Sequence, residues 1–146
     1  MFPPFFLQDE SMFMTRDKMN QAILNQLKSN SRKTWQQIGK EVHLTGQAVA
    51  VRVQQMEELG TISGYTIRQD QLARHFITVF MESTDFNGFE ALLKGHASVE
   101  SAYKVTGEGC YHLVFIAQSN ADIEPFLDLL LPYGRCKVLS AMRCVK

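Results

Sequence analysis

No apolar run in this 146-residue chain approaches the ~18 residues needed to cross a bilayer. The opening MFPPFFLQDE lacks a basic start and is broken early by prolines, so it does not read as a secretory signal. Three cysteines (Cys110, Cys136 and Cys144) form no C-x-x-C pair, and their odd number argues against a disulfide framework or a zinc site. The four histidines are scattered, with no H-x-x-x-H spacing. The expectations are a cytoplasmic protein, no metal and no cofactor.

Formal net charge is zero, so no overall basic excess points to nucleic acid. The distribution is uneven, however. Between Arg16 and Arg52 seven basic residues face two acidic ones, a balance of +5. From Gln69 to Lys146 seven basic residues face nine acidic ones, a balance of −2. A basic front and an acidic back suggest two jobs in one chain.

In the front half, TRDKMNQAILNQLKSNSR places Met19, Ile23, Leu24 and Leu27 on one helical stripe, with Thr15 or Asp17 as the cap. TWQQIGKEVHLT follows, with a Thr34/Gln37 capping box and Ile38 and Val42 on the buried side. His43-Leu44 makes a tight connection. Thr45 caps a third helix, GQAVAVRVQQMEEL, which Gly60 stops. On that helix Val49, Val53 and Met56 face a core, while Gln47, Val51 and Gln54 point away and Arg52 lies at the border. TISGYTI then alternates like a short strand or wing. A short helix, a turn and a second helix fit a helix-turn-helix whose second helix enters the major groove. Periodicity alone fits an ordinary three-helix bundle equally well; the concentrated positive charge favours DNA.

In the back half, HFITVFMEST, VESAYKVTG, CYHLVFIAQ and CKVLSAMRCVK read as strands. FNGFEALLKGH and NADIEPFLDLLLPYG read as helices, with Phe86, Phe89, Leu92 and Leu93 on the first stripe and Ile123, Phe126, Leu127 and Leu130 on the second. Asn120 or Asp122 is the expected cap of the second, and Pro125 must occupy its first turn. The order βαββαβ predicts a ferredoxin-like domain in an α+β protein. Both Ile77/Val79/Met81 and Phe76/Thr78/Phe80 are largely apolar, so the sheet wants a cover on each face. A second copy of the chain is the simplest cover for the face without helices, which predicts a homodimer.

The segments AILNQLKSNSR, HLTGQAVAVRVQQMEELGTISGY and YKVTGEGCYHL together resemble the leucine-responsive regulatory protein and asparagine-operon regulator (Lrp/AsnC) family of prokaryotic transcription factors, over about Arg16 to Lys146. The resemblance implies a winged helix-turn-helix over residues 14–68 that binds double-stranded DNA; residues 1–13, which precede it, read either as an arm packing on a partner subunit or as disordered. It implies a ferredoxin-like domain over 74–146 that dimerises, in some members into octamers, and senses an amino acid or related metabolite between dimers beside the glycine-acid hairpin. That places Thr106, Gly107, Glu108, Cys110 and Tyr111 near an effector pocket. This chain departs from the family pattern at Cys110, usually an aspartate, and at Gly46, commonly a proline. Its last strand is one residue short, with Arg143-Cys144 replacing the usual acidic ending.

Gln47, Ala48, Val51, Gln54 and Gln55 are the groove candidates. Glutamine pairs with adenine through two hydrogen bonds and small apolar groups touch the thymine methyl, so A·T-rich sites are expected. Lys33, Thr34 and Lys40 are phosphate candidates, and phosphate contacts position without specifying; the cap Thr45 is a further candidate at DNA. Arg52 clamps either a phosphate or a neighbouring carboxylate, and Trp35 either packs on the first helix or meets the DNA. Cys110 is a pocket-lining residue, a redox thiol or, least well supported, a nucleophile with His112 as base. No triad partner is in view, so no enzyme is expected. The rivals are a ferredoxin-like ligand-binding or assembly module without DNA binding, and a DNA-binding regulator switched by Cys110 oxidation.

Overall fold

The computed structural model describes residues 17–146. The segment 1–13, expected as an arm or as disordered, and the candidate cap Thr15 lie outside the described residues. The chain divides into two compact units between Ile67 and Arg68.

Among its described residues the first unit holds three helices, α1 (Lys18–Ser29), α2 (Trp35–Val42) and α3 (Gly46–Glu58). Each begins on a side chain that accepts otherwise orphaned amides. The Asp17 carboxylate accepts from the Met19 N–H at 2.8 Å and the Asn20 N–H at 3.3 Å. At α2 the Thr34 hydroxyl accepts from the Gln37 N–H at 3.2 Å, and the Gln37 amide oxygen accepts from the Thr34 N–H at 2.8 Å. Thr45 accepts from the Ala48 N–H at 3.1 Å. One such cap contributes about 1 kcal/mol. Between α2 and α3 His43 takes the left-handed conformation at φ 59°, and the Leu44 N–H returns to the Gly39 carbonyl at 2.8 Å. A Cβ on Gly39 would lie 2.4 Å from the Leu44 carbonyl oxygen, so this turn closes only over a glycine. Ile23, Leu27, Ile38, Val42, Val49, Val53 and Met56 form the core, with Met19 and Leu24 half-buried against it.

The TISGYTI segment forms no strand. A strand needs a partner ladder, and among its described residues this unit is otherwise helices and turns. The segment is instead tied to α3: the Ile62 N–H donates to the Met56 carbonyl at 3.0 Å, Ile62 packs on the core, and the Tyr65 hydroxyl donates to Glu57 at 2.7 Å.

The second unit runs β1 (Ala73–Met81), α4 (Phe86–Gly95), β2 (Val99–Lys104), β3 (Tyr111–Ala117), a 3-10 turn at Asn120–Asp122, α5 (Ile123–Leu130) and β4 (Gly134–Ser140). The sheet order is β2-β3-β1-β4, antiparallel throughout. Phe89, Leu93, Phe126 and Leu130 from the helices bury Ile77, Val79, Tyr111, Leu113, Phe115 and Ala117 of the sheet. Pro125 falls in the first turn of α5, as it must. The Asp122 carboxylate accepts from the Ser119 N–H at 2.9 Å, closing the 3-10 turn rather than capping α5. The last strand is shorter than the expected 136–146. It pairs only with β1, and the Ala141 N–H meets the Arg74 carbonyl just as β1 runs out. The other sheet face presents Phe76, Thr78, Phe80, His112, Val114 and Ile116, all partly buried, with Phe76 and His112 stacked at 6.4 Å.

Candidate nucleic-acid interface and effector hairpin

Because Val49, Val53 and Met56 anchor α3 in the core, the opposite side of this helix is turned outward. Thr45, Gln47, Ala48, Val51, Arg52 and Gln55 line one open concavity of about 520 Å³ there. Six of the residues expected at DNA therefore share a single surface. Lys33 and Thr34 are not in it; they sit at the start of α2, where Thr34 is the cap and the Lys33 ammonium is bonded to the Gln26 side chain of α1. Trp35 stays 38% exposed, so any packing leaves much of its ring in solvent.

Of the roles open to Arg52, the structure forms the carboxylate clamp. Its guanidinium donates to Asp17 at 3.2 Å and to Asn20 at 2.8 Å. The Met19 N–H, then Arg52, then the Asn20 N–H hold the Asp17 carboxyl below the usual carboxylate range. Asn20 is fully buried. A reading that counted only apolar positions on α1 passed over it, although it lies one turn from the capping aspartate. Gln54 also departs from the groove set, since its amide donates to Glu58 at 2.8 Å.

The β2–β3 hairpin is closed by the Val105 N–H on the Cys110 carbonyl at 3.0 Å and tied to β1 by the Cys110 N–H on the Val79 carbonyl at 2.8 Å. Gly107 and Gly109 hold φ of 98° and 87°. A Cβ on Gly109 would lie 2.4 Å from the Thr78 methyl, so the loop backbone rests directly on the sheet face that carries no helices. Glu108 reaches Lys137 at 3.7 Å, both well exposed.

Thr106, Gly107, Glu108 and Cys110 stay together in this loop, whereas Tyr111 turns to the helix side. Its ring packs on Phe89 at 4.8 Å and its hydroxyl donates to Glu90 at 2.7 Å. Burial first, and then the Glu90 carboxylate, push the Tyr111 hydroxyl up to about 12. Tyr111 lines a cleft of about 370 Å³ between α4 and β2, with Glu90, Lys94 and Lys104 also on its lining. The Lys104 ammonium lies 4.8 Å from the Phe86 ring centroid and 5.7 Å from that of Tyr111. Nothing in the local sequence joins Glu90 to Lys104; they meet through Tyr111.

His112 does not approach Cys110 as a base for it would. Cys110 packs against the helix-covered core, while His112 stacks on Phe76 on the opposite face. The strand begins only at Tyr111, so Cys110 belongs to the turn and the two-residue period does not reach it. Among the described residues no group of His, Cys, Asp and Glu is placed to hold a metal, and no helix is long and apolar enough to cross a membrane.

A family model described as an AsnC-type helix-turn-helix domain matches residues 17–57, and one described as an Lrp/AsnC ligand binding domain matches residues 74–146. The chain is 30% identical to the HTH-type transcriptional regulator LrpB of Bacillus subtilis over 138 residues, covering 91% of this chain and 93% of that protein. The solved structure of B. subtilis LrpC is similar at a TM-score of 0.79 and 24% identity, over 89% of this chain and 96% of that one. A transcriptional regulator of Neisseria meningitidis in complex with L-Met is similar at a TM-score of 0.77 and 23% identity, over 89% and 92%. At those identities the two structures speak for the fold alone. The chain belongs to the Lrp/AsnC family of transcriptional regulators, with a helix-turn-helix DNA-binding domain followed by a ligand-binding domain.

Proposed function

We propose that this chain is a cytoplasmic, sequence-specific regulator in which α3 lies in the major groove of DNA and a small metabolite at the second unit tunes the affinity. Residues 14–68 are the DNA-binding domain and 74–146 the effector-binding and dimerisation domain. The observation that carries the DNA half is the single surface on α3 that gathers Thr45, Gln47, Ala48, Val51, Arg52 and Gln55. Lys33, Thr34 and Lys40 at α2 contact phosphates. Arg52 braces α3 against Asp17 and Asn20 and so sets how the helix is presented.

Two chains associate through the sheet face of Phe76, Phe80, Val114 and Ile116, with further assembly to an octamer. Association brings two recognition helices to one DNA turn, ~34 Å, or a multiple of it. The effector sits beside Thr106, Gly107, Glu108, Cys110 and Tyr111. L-Met, bound by the Neisseria relative, is the first compound to try. A thiol at Cys110 cannot pair with an amino-acid ammonium group, so that contact must come from elsewhere in the pocket. A ligand shifts DNA affinity only if it prefers one assembly over another.

The test is an anisotropy titration on the DNA upstream of the protein's own gene, at two salt concentrations, with and without pooled amino acids. Tight binding whose log K falls by ~0.9 per neutralised phosphate per log unit of salt, altered by the pool, is the expected result. Binding indifferent to the pool removes the amino-acid effector but keeps the regulator. No preference over random DNA at low salt favours the assembly module.

A further inference from the structure

We propose that base readout is carried by a cation-free ridge of Gln47, Val51 and Gln55, which selects A·T pairs and seats a thymine methyl on Val51. The inference rests on the reading of α3 as the groove helix. The three residues are spaced i, i+4, i+8, so they stack on one side of the helix over roughly 12 Å, the length of three to four base pairs. All three line the same concavity. Val51 is 50% exposed, an aliphatic side chain beside Ala48 and between the two glutamines of that surface. An exposed β-branched residue there has a ready partner in a 5-methyl group.

The side chains that would read other bases are engaged elsewhere. Guanine is most often read by a bidentate Arg or Lys on O6 and N7. The one cation on α3 is Arg52, and it is turned back onto Asp17 and Asn20 of the first helical turn. Gln54 is held by Glu58, and Glu57 accepts from Tyr65. Gln47 and Gln55 make no side-chain hydrogen bond among the described residues, so each amide is free to match the N6 donor and N7 acceptor of adenine. Thus the chain offers a glutamine, an aliphatic and a glutamine in sequence, flanked by groups already satisfied.

The experiment is in vitro selection of the full chain on a randomised duplex library, followed by anisotropy on the enriched duplex. Half-sites with A·T pairs at their centre are expected. Replacing the contacted thymine with uracil removes only the methyl and should weaken the wild type roughly fourfold, the value of one buried carbon group. Val51→Ala should bind more weakly and lose that sensitivity to uracil. Gln47→Ala should cost roughly five- to 150-fold on the enriched site and relax preference at one pair. Circular dichroism checks that both variants, altered at solvent-facing positions, remain folded. Enrichment of G·C pairs at the contacted positions, or indifference to uracil at every thymine of the half-site, overturns the ridge alone. Failure to enrich any sequence overturns the ridge together with the groove reading.

Discussion

The two halves of this molecule are organised by different kinds of information. In the helix-turn-helix unit each of α1, α2 and α3 begins on a side chain within three residues of the amides it satisfies. Its one sharp turn depends on Gly39 and a left-handed His43. In the sheet unit the decisive contacts cross long stretches of chain: Ala73–Met81 pairs with both Tyr111–Ala117 and Gly134–Ser140. The first unit is held by local grammar and the second by register. The residues proposed to read DNA consequently sit on a helix whose buried and outward faces short-range rules predict. The hairpin sits where three strands converge, and its surroundings come from tertiary pairing.

Core truncation in the sheet unit should be the harshest test of that contrast. Phe89 is fully buried, with Tyr111 at 4.8 Å and Tyr133 at 5.2 Å. Phe89→Ala is expected to cost about 3–5 kcal/mol, read as a loss of the sheet unit's transition in urea while the helical signal of the first unit persists. Collapse of both together would show that the first unit is not held by local grammar alone.

A single methyl group in the first unit comes next. Gly39→Ala drives a carbon into the Leu44 carbonyl at 2.4 Å, where backbone must give way, and should cost about 1–3 kcal/mol. Its melting point by circular dichroism should fall, with DNA affinity weakened because α3 is mis-set against α2. Thr45→Ala removes the α3 cap and should cost about 1 kcal/mol. An unchanged melting point would mean that the cap is dispensable.

The smallest expected effect is a pH dependence. Asp17 has a depressed pKa in the folded chain because of the Met19 amide, Arg52 and the Asn20 amide. Its contribution is present above the ordinary value of 3.8 and is lost as pH falls through the lower folded value. Asp17→Asn should therefore lower the urea midpoint at neutral pH, and the gap to wild type should narrow as the solution is acidified below that value. A gap independent of pH would show that the Arg52 clamp does not depend on the carboxylate charge.

Much was legible before any coordinates. The capping residues, the apolar stripes of α1 to α3 and the βαββαβ order follow from spacing and side-chain type, because each depends on neighbours a turn or a pleat away. Other features were not legible for the opposite reason. Arg52 finds Asp17 across 35 residues, and its neighbourhood alone left it free to meet a phosphate. TISGYTI alternates, yet alternation makes a strand only when a partner ladder exists. CKVLSAMRCVK likewise continues as a strand only as far as β1 extends. Cys110 and His112 part to opposite faces because the turn interrupts the pleat between them.

The sequence by itself thus determined the family, through its motifs, and most of the elements and the outward face of α3, since these last rest on periodicity and local hydrogen bonding. Only the tertiary structure decided which polar groups of that face are already spent, which side of the sheet Tyr111 joins, and that Gly109 must lack a side chain. Those outcomes depend on Thr78, Glu90, Asp17 and Glu58 being brought to the right places, and Thr78, Glu90 and Asp17 arrive there only when the chain folds back on itself.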